Sequence, residues 1–163
     1  GKVIGRCYGG SEYGPRALGN RSIIADPRSK VMRDYVNESI KHREGYRPFA
    51  PIVLGEHATE YFEFDDSDFM LFVAKVTERA KKEVPAVVHV DGTARMQTVG
   101  SDNEPFYSTL KNFYDKTGTA VLLNTSFNIA GEPIVETPQD AIRCFLGTSI
   151  DVLYLNKLKI TKS

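Results

Sequence analysis

Short apolar segments, separated by glycine, proline and small polar residues, limit the fold of this chain more than any other feature. Apolar runs of about four to eight residues predict β-strands, whereas helices of globular proteins are usually longer. Residues 30–40 and 104–116 carry apolar side chains at helical spacing, Gly118 is placed to end the second of these helices, and Thr137 is placed to begin a third. The predicted strands are residues 2–8, 22–25, 50–54, 69–76, 86–90, 95–99, 120–123 and 151–161.

The order of these elements indicates the fold class. Strands and helices interleave without a regular βαβ rhythm, which favours a mixed α/β fold on a twisted mixed sheet over a doubly wound parallel sheet. Asp91-Gly92 is a tight-turn signal, so residues 86–90 and 95–99 are expected to pair as a hairpin.

Composition places the chain among ordinary globular proteins. With 163 residues, 41% hydrophobic and 26% charged, we predict one domain over 1–163. A strand-like segment begins immediately after Gly1, which suggests a domain excised from a longer chain. Cys7 and Cys144 are too few and too far apart for a disulfide framework. Since no apolar run approaches the roughly 20 residues of a membrane span, a cytoplasmic location is expected.

The glycine-rich segment 12–22 is the first candidate site. It contains Arg16 and Arg21, and guanidinium groups bind phosphate oxygens in pairs while glycines let backbone amides approach them. The same residues also fit a structural turn in which the arginines pair with Glu12 and Asp26. The 21 basic and 21 acidic residues balance, so any anion site must be built locally.

A second group of basic residues precedes the strand predicted at 50–54. Lys41, His42 and Arg43 mostly have the character of a solvated face, whereas Arg47 abuts the buried segment and is expected to be held near the sheet. Arg95 lies at a predicted strand start after a turn, where its side chain can be aimed at a ligand.

Small polar residues follow the apolar strand predicted at 120–123. Ser126 and Asn128 occupy the strand-end position where α/β folds commonly bind ligands, and a hydroxyl with a carboxamide can bind phosphate oxygens or a small carbonyl. A plain Asx or Ser turn fits this sequence equally well.

The three histidines argue against two kinds of chemistry. His42, His57 and His89 are scattered without acids or cysteines at ligand spacing, so a histidine metal site is not expected. No Ser-His-Asp arrangement is discernible. Any catalysis should therefore rest on positioning and on electrostatic stabilisation of phosphates.

Four motifs together resemble the C-terminal domain of the O-carbamoyltransferase family, which includes enzymes that modify antibiotics and nodulation factors. The resemblance extends over nearly the whole chain. The motifs are Glu-Tyr-Gly-Pro-Arg-Ala-Leu-Gly-Asn-Arg-Ser at 12–22, Arg-Pro-Phe-Ala-Pro at 47–51, Thr-Ala-Arg-Met-Gln-Thr-Val at 93–99 and Leu-Asn-Thr-Ser-Phe-Asn at 123–128.

This resemblance implies a YrdC-like fold, a twisted mixed sheet flanked by helices. It implies formation of carbamoyl-adenylate from carbamoyl phosphate and ATP, with Mg²⁺ accompanying the ATP. A larger N-terminal domain of the actin-like ATPase class, holding iron, would then pass the carbamoyl group to a hydroxyl acceptor.

The resemblance also implies a set of site residues. The basic members are expected to contact ATP phosphates and carbamoyl phosphate, the two neutral members to hold the phosphate and carbamoyl groups, and Arg21 to support the set from one layer further out. The basic members are Arg16, Lys41, Arg47 and Arg95, the neutral ones are Ser126 and Asn128, and Arg16, Lys41, Ser126 and Asn128 are expected to be catalytic. These six residues are expected to converge on one cleft, and Arg21 is counted with them among the residues that bind the nucleotide.

Two other functions stay open at this stage. A YrdC-like fold could bind a nucleotide or RNA without chemistry of its own, although zero net charge and few exposed aromatic residues argue against an RNA platform. The basic residues could also be tied up in salt bridges of a purely structural domain.

Overall fold

The structure, a computed structural model, describes residues 1–162. Nine strands and five α-helices are assigned over this range, with one π-helical and two 3₁₀ segments. The strands are β1 (Ile4–Cys7), β2 (Arg21–Ala25), β3 (Ala50–Leu54), β4 (Ala74–Lys75), β5 (Thr93–Ala94), β6 (Gln97–Val99), β7 (Val121–Ser126), β8 (Val152–Leu155) and β9 (Leu158–Thr161). The α-helices are α1 (Lys30–Tyr35), α2 (Ala58–Tyr61), α3 (Glu78–Glu83), α4 (Phe106–Thr117) and α5 (Pro138–Leu146).

Seven strands form a mixed sheet in the order β6-β3-β7-β2-β1-β8-β9, and β4 pairs with β5 separately. Strand β1 is antiparallel to β2 and parallel to β8. Strand β3 is parallel to β6, and β8 is antiparallel to β9. The predicted fold class, a mixed α/β sheet flanked by helices, is confirmed.

The chain folds into two compact units. The first contains residues 1–26, 31–47 and those from 124 onward, and its core includes Ile23, Phe127 and Phe145. The second contains residues 27–30 and 48–123, with a core of large apolar side chains, namely Ile52, Leu54, Tyr61, Phe62, Phe106 and Leu110. A single domain over 1–163 stays a prediction.

The helix signals in the sequence are confirmed. Thr137 accepts a hydrogen bond from the Asp140 amide and the Asp140 carboxylate accepts one from the Thr137 amide, so α5 begins in a full capping box. Gly118 ends α4 at φ +72°, a left-handed conformation that favours glycine. Both signals are local and do not depend on the rest of the fold.

Two strand predictions and one predicted hairpin are wrong: residues 69–76 form a strand only in part, and residues 86–90 form none. Of residues 69–76, only Ala74–Lys75 forms a strand, because the preceding apolar side chains face water and do not join a ladder. Residues 86–90 begin in a 3₁₀ turn, Pro85–Val87, where proline fixes φ and withholds a ladder donor. The hairpin between 86–90 and 95–99 is therefore absent.

The closing strand, predicted as one element over 151–161, is a hairpin. Asn156 lies in the left-handed region at φ +51° and turns the chain, so β8 pairs with β9. Asparagine tolerates this conformation better than most residues. Strand β7 also continues three residues beyond the predicted apolar run and ends at Ser126.

Helix α1 does not continue as an α-helix to residue 40. Residues Val36–Ile40 form a π-helical turn, and the Lys41 amide donates to the Val36 carbonyl at 2.9 Å. The wider turn changes the direction in which Lys41 leaves the helix. Segments of this kind occur frequently at functional sites.

Across residues 1–162, each helix is too short or too polar to cross a lipid bilayer.

Candidate functional site

The loop after β7 is fixed by its central aromatic residue. Phe127 is fully buried against Gly5, where an added Cβ would lie 2.8 Å from the phenyl ring. The Phe127 amide donates to the Arg21 carbonyl at 2.9 Å, and its carbonyl accepts from Val135 at 2.9 Å. The neighbours Ser126 and Asn128 are therefore held in defined positions at the end of β7.

Lys41 binds this loop through four oxygen atoms. Its Nζ lies 2.9 Å from the Ser126 carbonyl, 2.8 Å from the Asn128 carbonyl, 2.6 Å from Asn128 Oδ1 and 3.3 Å from Ser126 Oγ. Ser126 Oγ also donates to Asn128 Oδ1 at 2.7 Å. The structure thus brings together three of the predicted residues, although Lys41 and Ser126 are 85 positions apart.

Lys41 is an unusual cation because only 4% of its surface is exposed. Burial, and to a smaller extent the positive charge of nearby Arg43, lower the pKa of its ammonium group from an ordinary value of 10.5 to about 7. Desolvation penalises the charged form of a lysine, and like charges add to that penalty. The charge on Lys41 is therefore sensitive to pH near neutrality.

This pKa difference predicts a pH-dependent stability. Between pH 7 and 10.5 the folded chain binds fewer protons at Lys41 than the unfolded chain does. The contribution of Lys41 to the free energy of unfolding therefore rises with pH over this range, and it is lost as pH falls through 7. Relative to Lys41→Met, the free energy of unfolding of the natural chain should rise by up to about 1.4 kcal/mol per pH unit between pH 7 and 9. Urea unfolding at several pH values measures it. A difference that does not change with pH would show that Lys41 keeps an ordinary pKa.

The carboxylate of Glu12, a residue of the glycine-rich loop, accepts hydrogen bonds from the backbone of the same loop. Glu12 Oε1 accepts from the amides of Leu18 at 2.7 Å and Asn20 at 2.6 Å. The backbone donors that the sequence suggested for phosphate are therefore used by Glu12 in this structure. Arg16 lies at the exposed tip of the loop and makes no hydrogen bond or ion pair with residues 1–162.

Arg21 is buried in a cage of backbone carbonyls. Its five N–H donors point to four carbonyl oxygens, those of Tyr8, Gly9, Asn20 and Glu136, at 3.0–3.2 Å. Arginine has five such donors and no acceptor. Arg21 therefore has no donor left for a ligand in this conformation, and its place among the nucleotide-binding residues stays a prediction.

The basic segment after Lys41 is organised by a residue that the sequence did not single out. Asn37 is fully buried, and its Nδ2 donates to the carbonyls of Gly45 at 3.2 Å and Arg47 at 3.0 Å. Its Oδ1 accepts from Arg43 Nε at 2.7 Å. The Arg47 side chain is exposed and lies 4.0 Å from Glu44, an ion pair of little energetic value.

Arg95 belongs to the second unit, where it lines a cleft of about 330 Å³. The cleft combines apolar walls with polar groups, including Phe49, Thr93 and His89. The His89 ring nitrogen Nδ1 lies 2.9 Å from Asp91, whose carboxylate also accepts from Thr93. No sequence motif marked His89 as part of a cleft. The Asp91-Gly92 turn beside it was the available signal that the chain bends at this point.

Only part of the predicted set is assembled by contacts in the first unit. Lys41, Ser126 and Asn128 form one hydrogen-bonded cluster, here called the Lys41 cluster. Arg16 and Arg47 stay exposed, and the convergence of all six ligand-contacting residues on one cleft stays a prediction. Within residues 1–162, no group of three or more His, Cys, Asp or Glu side chains could hold a metal ion.

Comparison with known proteins identifies close relatives. The chain is 50% identical over 167 aligned positions to nodulation protein NolNO of Sinorhizobium fredii, covering 99% of this chain and 25% of the relative. It is 48% identical to nodulation protein NolO of Bradyrhizobium diazoefficiens, covering 99% and 30%. It is 42% identical to 3'-hydroxymethylcephem-O-carbamoyltransferase of Amycolatopsis lactamdurans, covering 87% and 27%. The chain thus spans about a quarter to a third of these relatives.

A solved structure and a family model complete the comparison. Full-length HypF, crystallised in a phosphate- and nucleotide-bound form, matches 91% of this chain with 18% of its own length, a TM-score of 0.59 and 15% identity. At 15% identity, this match shows a shared fold and nothing about function. The family model of the carbamoyltransferase C-terminus matches residues 1–162. The chain therefore belongs to the carbamoyltransferase C-terminus family.

Proposed function

We propose that this chain forms carbamoyl-adenylate from carbamoyl phosphate and ATP, as the activating half of an O-carbamoyltransferase. The observation that carries the proposal is the Lys41 cluster, a buried cation bonded to a hydroxyl and a carboxamide, in a chain of this family. The 42% identity to a cephem O-carbamoyltransferase supports carbamoyl transfer as the reaction class.

The proposed reaction has two chemical steps. Water cleaves carbamoyl phosphate to carbamate and inorganic phosphate. A carbamate oxygen then attacks the α-phosphorus of ATP, the bond to the bridging β-phosphate oxygen breaks, and pyrophosphate leaves. The second step brings two anions together, so fixed cations and hydrogen-bond donors lower its barrier.

The Lys41 cluster supplies orientation in this scheme. Ser126 and Asn128 are neutral and held by Lys41, so they would fix the carbamoyl group and the α-phosphate for attack without adding charge. Arg16 and Arg47 have exposed side chains that are available to approach phosphate oxygens, and Arg95 would bind phosphate from its cleft.

Residues 1–162 contain no group of three or more metal-ligating side chains that could hold Mg²⁺ by itself. Mg²⁺ commonly binds through substrate phosphates and water, so it would enter as part of the ATP substrate. We assign transfer to the hydroxyl acceptor, and the expected iron, to an additional N-terminal domain, since the relatives are three to four times as long as the matched segment.

Pyrophosphate release measures this function directly. We expect release to require both ATP and carbamoyl phosphate, with carbamoyl-adenylate detected by mass. Ser126→Ala should slow release while ATP affinity changes by only about 1 kcal/mol, because a single neutral hydrogen bond is lost. Exposed Ser101→Ala is the matched control and should behave as the natural chain. Pyrophosphate release that does not depend on carbamoyl phosphate would contradict the proposal.

A further inference from the structure

Four large apolar side chains are exposed within five consecutive residues of the second unit. Their exposed fractions are 62% for Phe69, 72% for Leu71, 54% for Phe72 and 64% for Val73. Single exposed apolar residues are normal on protein surfaces, but a continuous group marks an interaction surface. This group is called the apolar patch below.

The patch is presented by an ordered turn. Met70, in the middle of the segment, is buried at φ +55°, and its amide is 3.5 Å from the Ser67 carbonyl. Two hydrogen bonds join Ser67 to Thr98. The Ser67 amide donates to Thr98 Oγ1 at 2.9 Å, and the Ser67 carbonyl accepts from the Thr98 amide at 3.1 Å. The Phe72 ring packs on Phe64 with centroids 5.3 Å apart. The backbone that carries the patch and the Phe72 ring are therefore held in place.

The charge on the N-terminal side of the patch is acidic, whereas exposed Lys75 follows the patch. Exposed carboxylates precede it, and no lysine or arginine occurs from residue 58 to residue 74. The exposed acidic residues are Glu63, Asp65, Asp66 and Asp68. Interfaces have apolar centres with polar rims, and complementary charges select the partner. The patch therefore fits a protein surface with an apolar centre and basic residues at one side.

We propose that the apolar patch is the docking surface for the additional N-terminal domain of the same polypeptide. The relatives contain three to four times the length of the matched segment, which supplies a covering surface in the same chain. A tethered surface reaches a high effective concentration, so docking within one chain needs less intrinsic affinity than docking between separate chains. The assignment rests on the proposed function, which requires that domain.

The patch lies beside a cleft, and this position indicates what docking would do. Val73 belongs to the patch and also lines the cleft that contains Arg95. A domain seated on the patch would lie at the edge of that cleft. Covering the cleft edge would exclude water from Arg95 and the other polar groups that line the cleft.

Hydroxyl-radical labelling, read by mass spectrometry, tests the docking. The full-length polypeptide is compared with the 163-residue chain. We expect labelling of Phe69 and Leu71 to fall at least about fivefold in the full-length protein, because side chains at an interface centre are withdrawn from water. Leu158 is 68% exposed outside the patch and should be labelled equally in both. Buried Leu110 should stay unlabelled in both, which verifies that each sample is folded.

A paired variant gives a functional readout. In the full-length protein, Phe69→Asn with Leu71→Asn should lower carbamoyl transfer to the acceptor by at least about tenfold, a typical effect of residues at an interface centre. Pyrophosphate release should stay unchanged, and Leu158→Asn should change neither activity.

Two results would overturn the docking proposal. One is equal labelling of Phe69 and Leu71 in both proteins. The other is concentration-dependent protection of these residues in the 163-residue chain, which would assign the patch to a second copy. Failure of the proposed function is separate: the natural protein would then release no pyrophosphate, while labelling would still report docking.

Discussion

Replacement of Arg21 by methionine is expected to cost about 3–5 kcal/mol of folding free energy, because four buried or half-buried carbonyl oxygens lose the donors that satisfy them. Methionine keeps an apolar stem of similar length, so the loss reports the guanidinium group. For a chain of this size, such a loss lowers the melting temperature by about 10 °C. Thermal unfolding followed by circular dichroism measures it.

Two further variants make the Arg21 result specific. Arg16→Met removes the same group from the exposed loop tip and should change stability by no more than about 0.5 kcal/mol. Arg21→Lys keeps the charge but offers three donors instead of five, so its loss should be intermediate. Equal melting temperatures for Arg21→Met and Arg16→Met would refute the structural role of the carbonyl cage.

Local signals in the sequence were sufficient for much of the fold. Strand β3 lies at the predicted residues 50–54, and the capping box at Thr137 and the end of α4 at Gly118 are also confirmed. Each of these features depends on residues within a few positions of one another. The mixed character of the sheet also followed from the order of the elements, because parallel strands need crossover connections and antiparallel neighbours do not.

The failures have a common physical cause. The segment 69–76 is apolar enough for a buried strand, yet burial is decided by which surfaces are covered, and an exposed apolar segment can have the same composition as a core strand. The π-helical turn at Val36–Ile40 leaves no local sequence signature, because it depends on what the following residues must contact.

The residue types of the candidate site could be predicted from the sequence, but the contacts between them could not. Glycine, arginine and Ser-x-Asn motifs indicated an anion site, but the partner of each donor depends on tertiary contacts. Glu12 occupies the amides that the motif suggested for phosphate, and Asn37 arranges the segment that carries Arg47. Neither role has a short-range pattern in the sequence, since each partner is fixed only when the chain folds.

The largest catalytic effect is expected from Lys41→Met. The variant leaves the carbonyls of Ser126 and Asn128 without their Lys41 donor, and both side chains lose the ammonium group that holds them, keeping only the hydrogen bonds that do not involve Lys41. A displacement of about 1 Å at reacting groups can cost roughly 100-fold in rate, so carbamoyl-adenylate formation should fall by about that factor. ATP affinity should fall less, by about tenfold or below, because the cluster orients the reactants and the arginines supply most of the phosphate binding. Pyrophosphate release and ATP titration, compared between variant and natural protein, give the two numbers.

The Lys41 effect can be separated from general destabilisation and from direct phosphate binding. Lys159→Met removes an exposed lysine from β9 and should leave rate and affinity unchanged. Combining Lys41→Met with Ser126→Ala should add little to the loss of rate, because both changes remove the same orientation of one reacting unit. If the Lys41→Met protein is folded and its ATP affinity falls as far as its rate, the ammonium group binds the phosphates directly. The contacts of Lys41 with the loop would then occur only in the protein without ligand.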